Sequence, residues 1–134
     1  DKFPPLISVH NGTPMPPVRI YCSQKKKLVC IFAEFSIPLD VNYELADKII
    51  EFILKNKISD ILSIGGMPTP EGNQDIFEKV FGIVSSPELA KKAKGAGIMQ
   101  IKEGVSTGVS AVLMIRSVLA DISNITLLVP VETV

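Results

Sequence analysis

The chain has 134 residues, of which 46% are hydrophobic and 21% are charged, and this composition excludes an intrinsically disordered protein. Fourteen Lys and Arg residues balance fourteen Asp and Glu residues, so no broad positive charge is present to bind nucleic acid or an anionic membrane surface. A net charge near zero favours a homo-oligomer, because copies of the chain have little electrostatic reason to repel each other.

The cellular location is expected to be cytoplasmic. Two cysteines are too few for a disulfide framework, and the first residues show no signal-peptide pattern. The longest apolar stretch, Val105 to Ala120, is shorter than the ~20 residues that span a bilayer, so we expect no membrane partner.

The first third of the chain contains short runs with high β-propensity. Strands are predicted at Leu6 to His10, Val18 to Cys22 and Leu28 to Ala33. Turn residues separate these runs, which favours an antiparallel meander. One interpretation has Cys22 and Cys30 facing each other across a hairpin, and the simpler one, which we prefer, is two buried thiols that pack as small hydrophobes. Prolines between Thr13 and Pro17 cannot donate ladder hydrogen bonds, so this stretch is predicted to be a loop.

The middle of the chain begins with an amphipathic helix after Pro38. Its apolar residues recur at helical spacing, as shown by Leu45, Ile49, Phe52 and Ile53. A buried strand is predicted at Ile58 to Ile64 and ends in Gly65-Gly66. The proline- and glycine-bearing stretch from Met67 to Asp75 is predicted to be a loop.

The second half alternates strands with helices. Strands are predicted at Val80 to Val84, Ile98 to Ile101 and Ile125 to Val131, and helices at Pro87 to Lys94 and Val105 to Ala120. This alternation is typical of the α/β class. No repeat or linker divides the chain, so residues 1–134 are predicted to form a single domain.

One segment matches a catalytic motif. Gly104 to Gly108 fits the G-x-S-x-G nucleophile elbow and lies between a predicted strand and a predicted helix. A serine nucleophile needs an adjacent base, and the chain's single histidine, His10, is far upstream, where a locally hydrogen-bonded strand-end residue is expected. We therefore predict no catalytic residues. One histidine and two cysteines also make no convincing zinc site, so no metal is expected.

The same turn has two milder interpretations. Ser106, Thr107 and Gly108 precede a predicted helix whose free N–H groups and positive dipole end can bind an anion. The simpler interpretation is that Ser106 or Thr107 caps the helix while Gly104 and Gly108 permit a tight turn.

Residues at predicted strand ends are further ligand-binding candidates. They are Glu34, Gly65, Gly66 and Glu132. Ligands of open α/β sheets bind beyond the carboxyl ends of the strands, so these residues would form a binding crevice if they converge. Carboxylates at strand ends are more often solvated or cap a neighbouring turn.

Glycine and proline landmarks follow one another along nearly the whole chain. The first are Phe3-Pro4-Pro5, Gly12, Pro17, Tyr21, Glu34 and Pro38. The later ones are Ile64-Gly65-Gly66, Val80-Phe81-Gly82, Gly97, the Gly104 to Gly108 turn and Glu132. No single landmark is diagnostic, but their joint order resembles the proteasome assembly chaperone 2 family.

This resemblance implies a three-layer α/β/α domain with a mixed sheet and a phosphorylase-like architecture. It implies a non-enzymatic oligomer, without a cofactor, that binds proteasome α-subunits or a related chaperone subunit and assists assembly. It also implies that an N-terminal strand and helix and a C-terminal segment of the family are missing from these 134 residues.

Two proline-bearing stretches are candidates for the protein interface. Their residues are Met15, Pro16, Pro17, Met67 and Pro68. Prolines lower the entropy that a loop loses on docking. The alternative function is a small-ligand or nucleotide-binding α/β enzyme of phosphorylase-like or ligase-associated type that uses the two glycine-bearing turns.

Overall fold

The structure is a computed structural model that describes residues 3–69 and 74–132. The chain divides into two compact units, residues 1–42 and 43–134. The single domain over residues 1–134 stays a prediction. Among the described residues, no helix has the length and apolarity needed to cross a bilayer.

The first unit contains two separate antiparallel hairpins. Strands β1 (Ser8–His10) and β2 (Thr13–Met15) form one, and β3 (Val18–Ser23) and β4 (Leu28–Ala33) form the other. Asn11 and Gly12 connect β1 to β2 with φ angles of 49° and 77°, which is the conformation that two-residue hairpin turns require. The predicted strands are present, but the meander is wrong, because β1 pairs with β2 and, among the described residues, β3 pairs with β4 alone.

The predicted loop from Thr13 to Pro17 is also wrong in its first half. Thr13 to Met15 form β2, with Pro14 opposite Val9. Each strand of a two-stranded ribbon keeps one unpaired edge, and an edge position tolerates a residue that has no N–H to donate.

The second unit contains most of the helices and a four-stranded mixed sheet. Its elements are α1 (Asn42–Lys55, beginning one residue before the unit), β5 (Asp60–Thr69), β6 (Phe81–Val84), α2 (Pro87–Gly95), β7 (Met99–Gln100), α3 (Val109–Ala120) and β8 (Ser123–Glu132). Short 3-10 turns lie at Leu39–Val41 and Gln74–Ile76. The strand order is β5-β8-β6-β7, with β6 antiparallel to β8 and the other two pairs parallel. The predicted α/β class and mixed sheet are confirmed, whereas the three-layer, phosphorylase-like detail stays a prediction.

Strand β5 is longer than predicted and does not end at Gly65-Gly66. It pairs with β8 as far as Thr69 opposite Glu132. A Cβ atom at Gly65 would lie 3.3 Å from Leu128 Cδ2, and one at Gly66 would lie 3.1 Å from Val131 Cγ2. These glycines therefore allow close packing of β8 side chains and do not terminate the strand. Met67 to Thr69 are strand residues, and the rest of the predicted loop as far as residue 73 lies outside the described residues.

Two of the helices pack against each other to form the apolar core of this unit. Ala46 of α1 contacts Val112 and Leu113 of α3, with Ile49, Ile50 and Val109 around them. At the edge of this packing, Arg116 Nε donates a 2.7 Å hydrogen bond to Asp47 Oδ1.

A buried polar cluster joins α3 to β8 and to the end of β6. Asn124 Nδ2 donates to Ser117 Oγ at 2.9 Å, and Ser117 Oγ donates to Leu113 O at 2.7 Å. The Ser85 hydroxyl accepts from Asn124 N and donates to Ile122 O. These bonds hold the start of β8 against the helix, which positions the rest of that strand beneath α3.

One face of the sheet stays exposed along β5 and β8. Side chains alternate between faces, so Leu62 and Ile64 share a face with Val129 and Val131. Leu62 is 59% exposed and Ile64 is 76% exposed. We call these four residues the open sheet face.

Candidate functional site

A crevice of about 770 Å³ lies at the end of the sheet where β5 meets the turn that precedes α3. This volume is in the range of small-molecule pockets. Its floor includes Ile83, Thr126 and Leu128, which belong to β6 and β8. Its rim includes the chain from Ile101 to Thr107, and its wall is formed by Ser110, Ala111, Met114 and Ile115 of α3.

The crevice brings together residues from both glycine-bearing segments that the sequence singled out. Gly65, Gly66, Gly104, Ser106 and Thr107 all line it. Met67 and Pro68, which were predicted as interface residues, line it as well. Gly108 adjoins this set at the start of α3.

Helix α3 begins four residues later than predicted. It starts at Val109, and Val105 is 95% exposed in the preceding turn. Gly108 is the N-cap residue, with a φ of 87°, a conformation that glycine adopts without strain. Among residues 3–69 and 74–132 no side chain caps the helix, so the interpretation of Ser106 or Thr107 as a cap is wrong. The first N–H groups of α3 are therefore left without a side-chain acceptor beside the crevice.

The crevice floor contains a buried hydroxyl without a partner. Thr126 is 3% exposed, and its Oγ1 has no hydrogen-bond partner among the described residues. A buried polar group of this kind normally has at least one partner. The hydroxyl oxygen has almost no accessible surface, so it is enclosed by protein and does not face the open crevice.

The two strand-end glutamates belong to different units. Glu132 is the exposed last residue of β8. Glu34 belongs to the first unit, where Arg19 binds it through two hydrogen bonds, Nη2 to Oε1 at 2.8 Å and Nη1 to Oε2 at 3.2 Å. Whether Glu34 converges with the paired glycines stays a prediction, because Glu34 and these glycines belong to different units.

Glu34 is the centre of a charged network. His10 Nε2 lies 2.6 Å from Glu34 Oε1, and Arg19 Nη1 also donates to Pro16 O at 2.8 Å. Hydrogen bonds from Arg19, Ser8 and His10 lower the pKa of Glu34 from 4.5 to about 2. The Arg19 guanidinium lies 5.4 Å from the ring centroid of Phe32, a favourable cation–π contact. His10 is thus held by Glu34, a partner distant in sequence, instead of by a local hydrogen bond.

The cysteines differ from their expected arrangement. Cys30 lies opposite Tyr21 and Cys22 opposite Val29, so the two thiols are one register position apart. Both are free and exposed, and the prediction of buried thiols is wrong. Both faces of a two-stranded hairpin lack a covering layer within that hairpin, so a strand pattern alone does not imply burial.

Several crevice residues were missed at the level of sequence. They include Ile83, Lys102, Ser110, Met114, Thr126 and Leu128. The period of two in β8 was a usable signal, because it places Thr126 and Leu128 on one face. The depth of Thr126 and its lack of a partner required the three-dimensional packing.

The comparisons with known proteins agree on one family. The profile of the PAC2 family matches residues 1–133. An uncharacterised protein of Methanocaldococcus jannaschii is 32% identical over 95 residues, which cover 70% of this chain and 37% of that protein.

Solved structures support the same grouping. The chain is similar to Pyrococcus furiosus PbaA, described as an archaeal homologue of proteasome-assembly chaperone, with a TM-score of 0.87, 27% identity, and coverage of 97% of this chain and 53% of that one. It also shares the fold of Pyrococcus furiosus PbaB, described as an archaeal proteasome activator, with a TM-score of 0.71, 17% identity and coverage of 97% and 60%. The chain thus spans between about half and three fifths of the length of these solved proteins.

The order of glycine and proline landmarks led to the same grouping. By the match over residues 1–133, the chain belongs to the PAC2 family.

Proposed function

We propose that this chain is part of an oligomeric chaperone that binds proteasome α-subunits and assists their assembly. The observation that carries the proposal is the similarity to Pyrococcus furiosus PbaA over 97% of the chain, together with the PAC2 match. Function through contact surfaces also suits a domain that exposes many large apolar side chains.

The proposed contacts with α-subunits include the five residues predicted from the proline-bearing stretches. Pro16 and Pro68 are exposed, while Met15, Pro17 and Met67 are half-buried. Two hydrogen bonds to backbone carbonyls hold the first stretch in place, since Arg19 Nη1 donates to Pro16 O and Glu34 N donates to Pro17 O. Rigid apolar residues lose little entropy when a partner covers them.

The test is a reconstitution of α-rings from purified α-subunits of the same organism, with and without this chain. We expect the chain to bind α-subunits and to accelerate ring formation. The variant Pro16→Glu/Pro68→Glu should weaken the capture of α-subunits by about tenfold, because it places a charge in the proposed apolar contact of each unit.

Pro87→Glu is the matched control, because Pro87 is also an exposed proline but lies at the start of α2, where a carboxylate is favourable. It should bind α-subunits as the unchanged chain does. The proposed partner is wrong if the unchanged chain neither binds α-subunits nor alters ring formation. The proposed surface is wrong if both variants bind equally.

A further inference from the structure

The two edges of the four-stranded sheet differ in length. In the strand order β5-β8-β6-β7, one edge strand is β7, which has two residues, and the other is β5, which has ten. A very short edge strand protects a sheet from pairing with another chain, whereas a long one presents a row of free backbone groups. The edge that can accept a further strand is therefore that of β5.

The outer edge of β5 has backbone groups without a backbone partner. In a two-sided ladder, alternate residues direct their N–H and C=O groups to one neighbour, and the residues between them direct theirs to the opposite side. Residues 60–69 form the ladder with β8, and none of the backbone hydrogen bonds found outside the helices and strands of the described residues involves them. Every second residue thus offers its polar groups to an added strand.

The central part of β5 lacks the residues that normally block such pairing. Leu62 to Gly66 contains neither a charged residue nor a proline, and Asp60 and Pro68 lie on either side of it. Charged side chains and prolines are among the usual features that keep an edge strand from pairing. These five residues, which we call the pairing segment, are an unprotected stretch of ordinary strand length.

The pairing segment is complementary to a second copy of itself in antiparallel orientation. With Ile64 on a two-fold axis, Ile64 faces its counterpart. Leu62 then faces Gly66 of the second copy, and Ser63 faces Gly65, so each larger side chain meets a glycine. Facing residues differ by an even number of positions, so their side chains lie on the same side of the joined sheet.

We propose that two copies of this chain join their sheets through the pairing segments, antiparallel about a two-fold axis at Ile64. Asp60 is the only charged residue of β5, and this register places the two Asp60 side chains at opposite ends of the ladder. A formal net charge of zero adds no general repulsion between copies. The pairing specifies the oligomer of the proposed function and rests on that part of it, while Met67 and Pro68 lie outside the segment and stay available to α-subunits.

Amide hydrogen exchange of the chain alone, resolved by NMR above and below the dissociation constant of self-association, tests the backbone pairing. The alternate amides that bond to β8 should exchange slowly at both concentrations. The amides between them should exchange at least about tenfold more slowly in the associated form than in the monomer. Rapid exchange of this second set in both forms, slow exchange in both, or the absence of association overturns the proposal.

Ile64→Lys and Ile64→Glu test the position of the two-fold axis. Residue 64 faces itself in this register, so each variant alone brings like charges together and should raise the dissociation constant by at least about tenfold. An equimolar mixture of the two variants brings opposite charges together and should associate with a dissociation constant within about threefold of that of the unchanged chain. Ile64 is exposed, so both variants should keep the fold, which circular dichroism checks.

Met99→Lys is the matched control, because Met99 is an exposed apolar residue in β7, at the other edge of the same sheet. It should associate as the unchanged chain does. The proposal is wrong if the mixture associates no better than either Ile64 variant alone, or if Met99→Lys weakens association as much as Ile64→Lys. These experiments contain no α-subunit, so the pairing and the proposed α-subunit contact can fail independently.

Discussion

The stability of the first unit depends on pH through the carboxylate of Glu34. Its pKa falls to about 2 in the folded protein from the ordinary 4.5, first because of the hydrogen bonds from Arg19 and then because of those from Ser8 and His10. A carboxylate with a lowered pKa stabilises the fold above its unfolded pKa, and this contribution disappears as the pH falls through the folded pKa. The relevant window therefore runs from pH 4.5 down to about pH 2.

Glu34→Gln tests this coupling, because glutamine keeps the shape of the side chain and cannot ionise. We expect the variant to be less stable than the unchanged chain at neutral pH and to lose less stability between pH 4.5 and about 2, so that the two stability curves converge at the acid end. Urea unfolding at a series of pH values measures both curves. Glu78→Gln, at an exposed position outside the network, is the control. Parallel curves for Glu34→Gln and the unchanged chain would contradict the prediction.

The contact between β6 and the segment before β7 depends on a glycine. Gly82 is buried, and a Cβ atom there would lie 2.8 Å from Ile98 Cγ2, which is closer than carbon atoms pack. Gly82→Ala must therefore displace Ile98 or the strand. We expect a loss of about 1–3 kcal/mol in the free energy of unfolding, measured by chemical denaturation.

Gly95→Ala is the matched control for Gly82→Ala. Gly95 is the last residue of α2, and a Cβ atom there would meet nothing within 4 Å. Alanine in a helix is favoured over glycine, so this change should be neutral or stabilise by up to about 1 kcal/mol. Equal losses in the two variants would show that the Ile98 contact is not the cause.

The helices also show how element boundaries arise. Ser86 and Pro87 were recognisable as the start of α2, and Ser86 Oγ accepts from Leu89 N at 3.3 Å. The start of α3 was not recognisable, because Ser106 and Thr107 have the composition of a cap without its geometry. An apolar stretch predicts the helix, but the backbone conformation at Gly108 sets where it begins.

The whole molecule combines a formal net charge of zero with the open sheet face, and both features favour association with a second copy. Ile64→Lys places a charge in the middle of this face. We expect it to weaken the proposed self-association and to raise its dissociation constant by at least about tenfold, measured by sedimentation velocity over a range of concentrations.

Leu119→Lys is the control for this surface, because Leu119 is 75% exposed at the end of α3 and Ile64 is 76% exposed. It should leave the mass distribution unchanged. An unchanged mass distribution for Ile64→Lys, or an equal shift in mass for both variants, would show that the open sheet face is not the self-association surface.

Local sequence determined much of the chain on its own. The α/β class, the positions of β3, β4 and α2, and the Asn11-Gly12 turn follow from propensity, capping and turn chemistry that act over a few neighbouring residues. The two glycine-bearing segments of the crevice were also predicted, because glycine marks close approach or an unusual backbone angle.

Tertiary structure decided which of these parts meet. Arg19 and Glu34 form an ion pair although they are 15 residues apart in the sequence. Asp47 and Arg116 are 69 residues apart. Gly65 lies inside β5, where it allows Leu128 of the parallel partner strand to pack closely. Pairings of this kind depend on the path of the whole backbone, and no neighbouring residue encodes them. The burial of Thr126, whose hydroxyl has no partner in the described part of the chain, results from the same packing, and the sequence therefore did not predict the crevice floor.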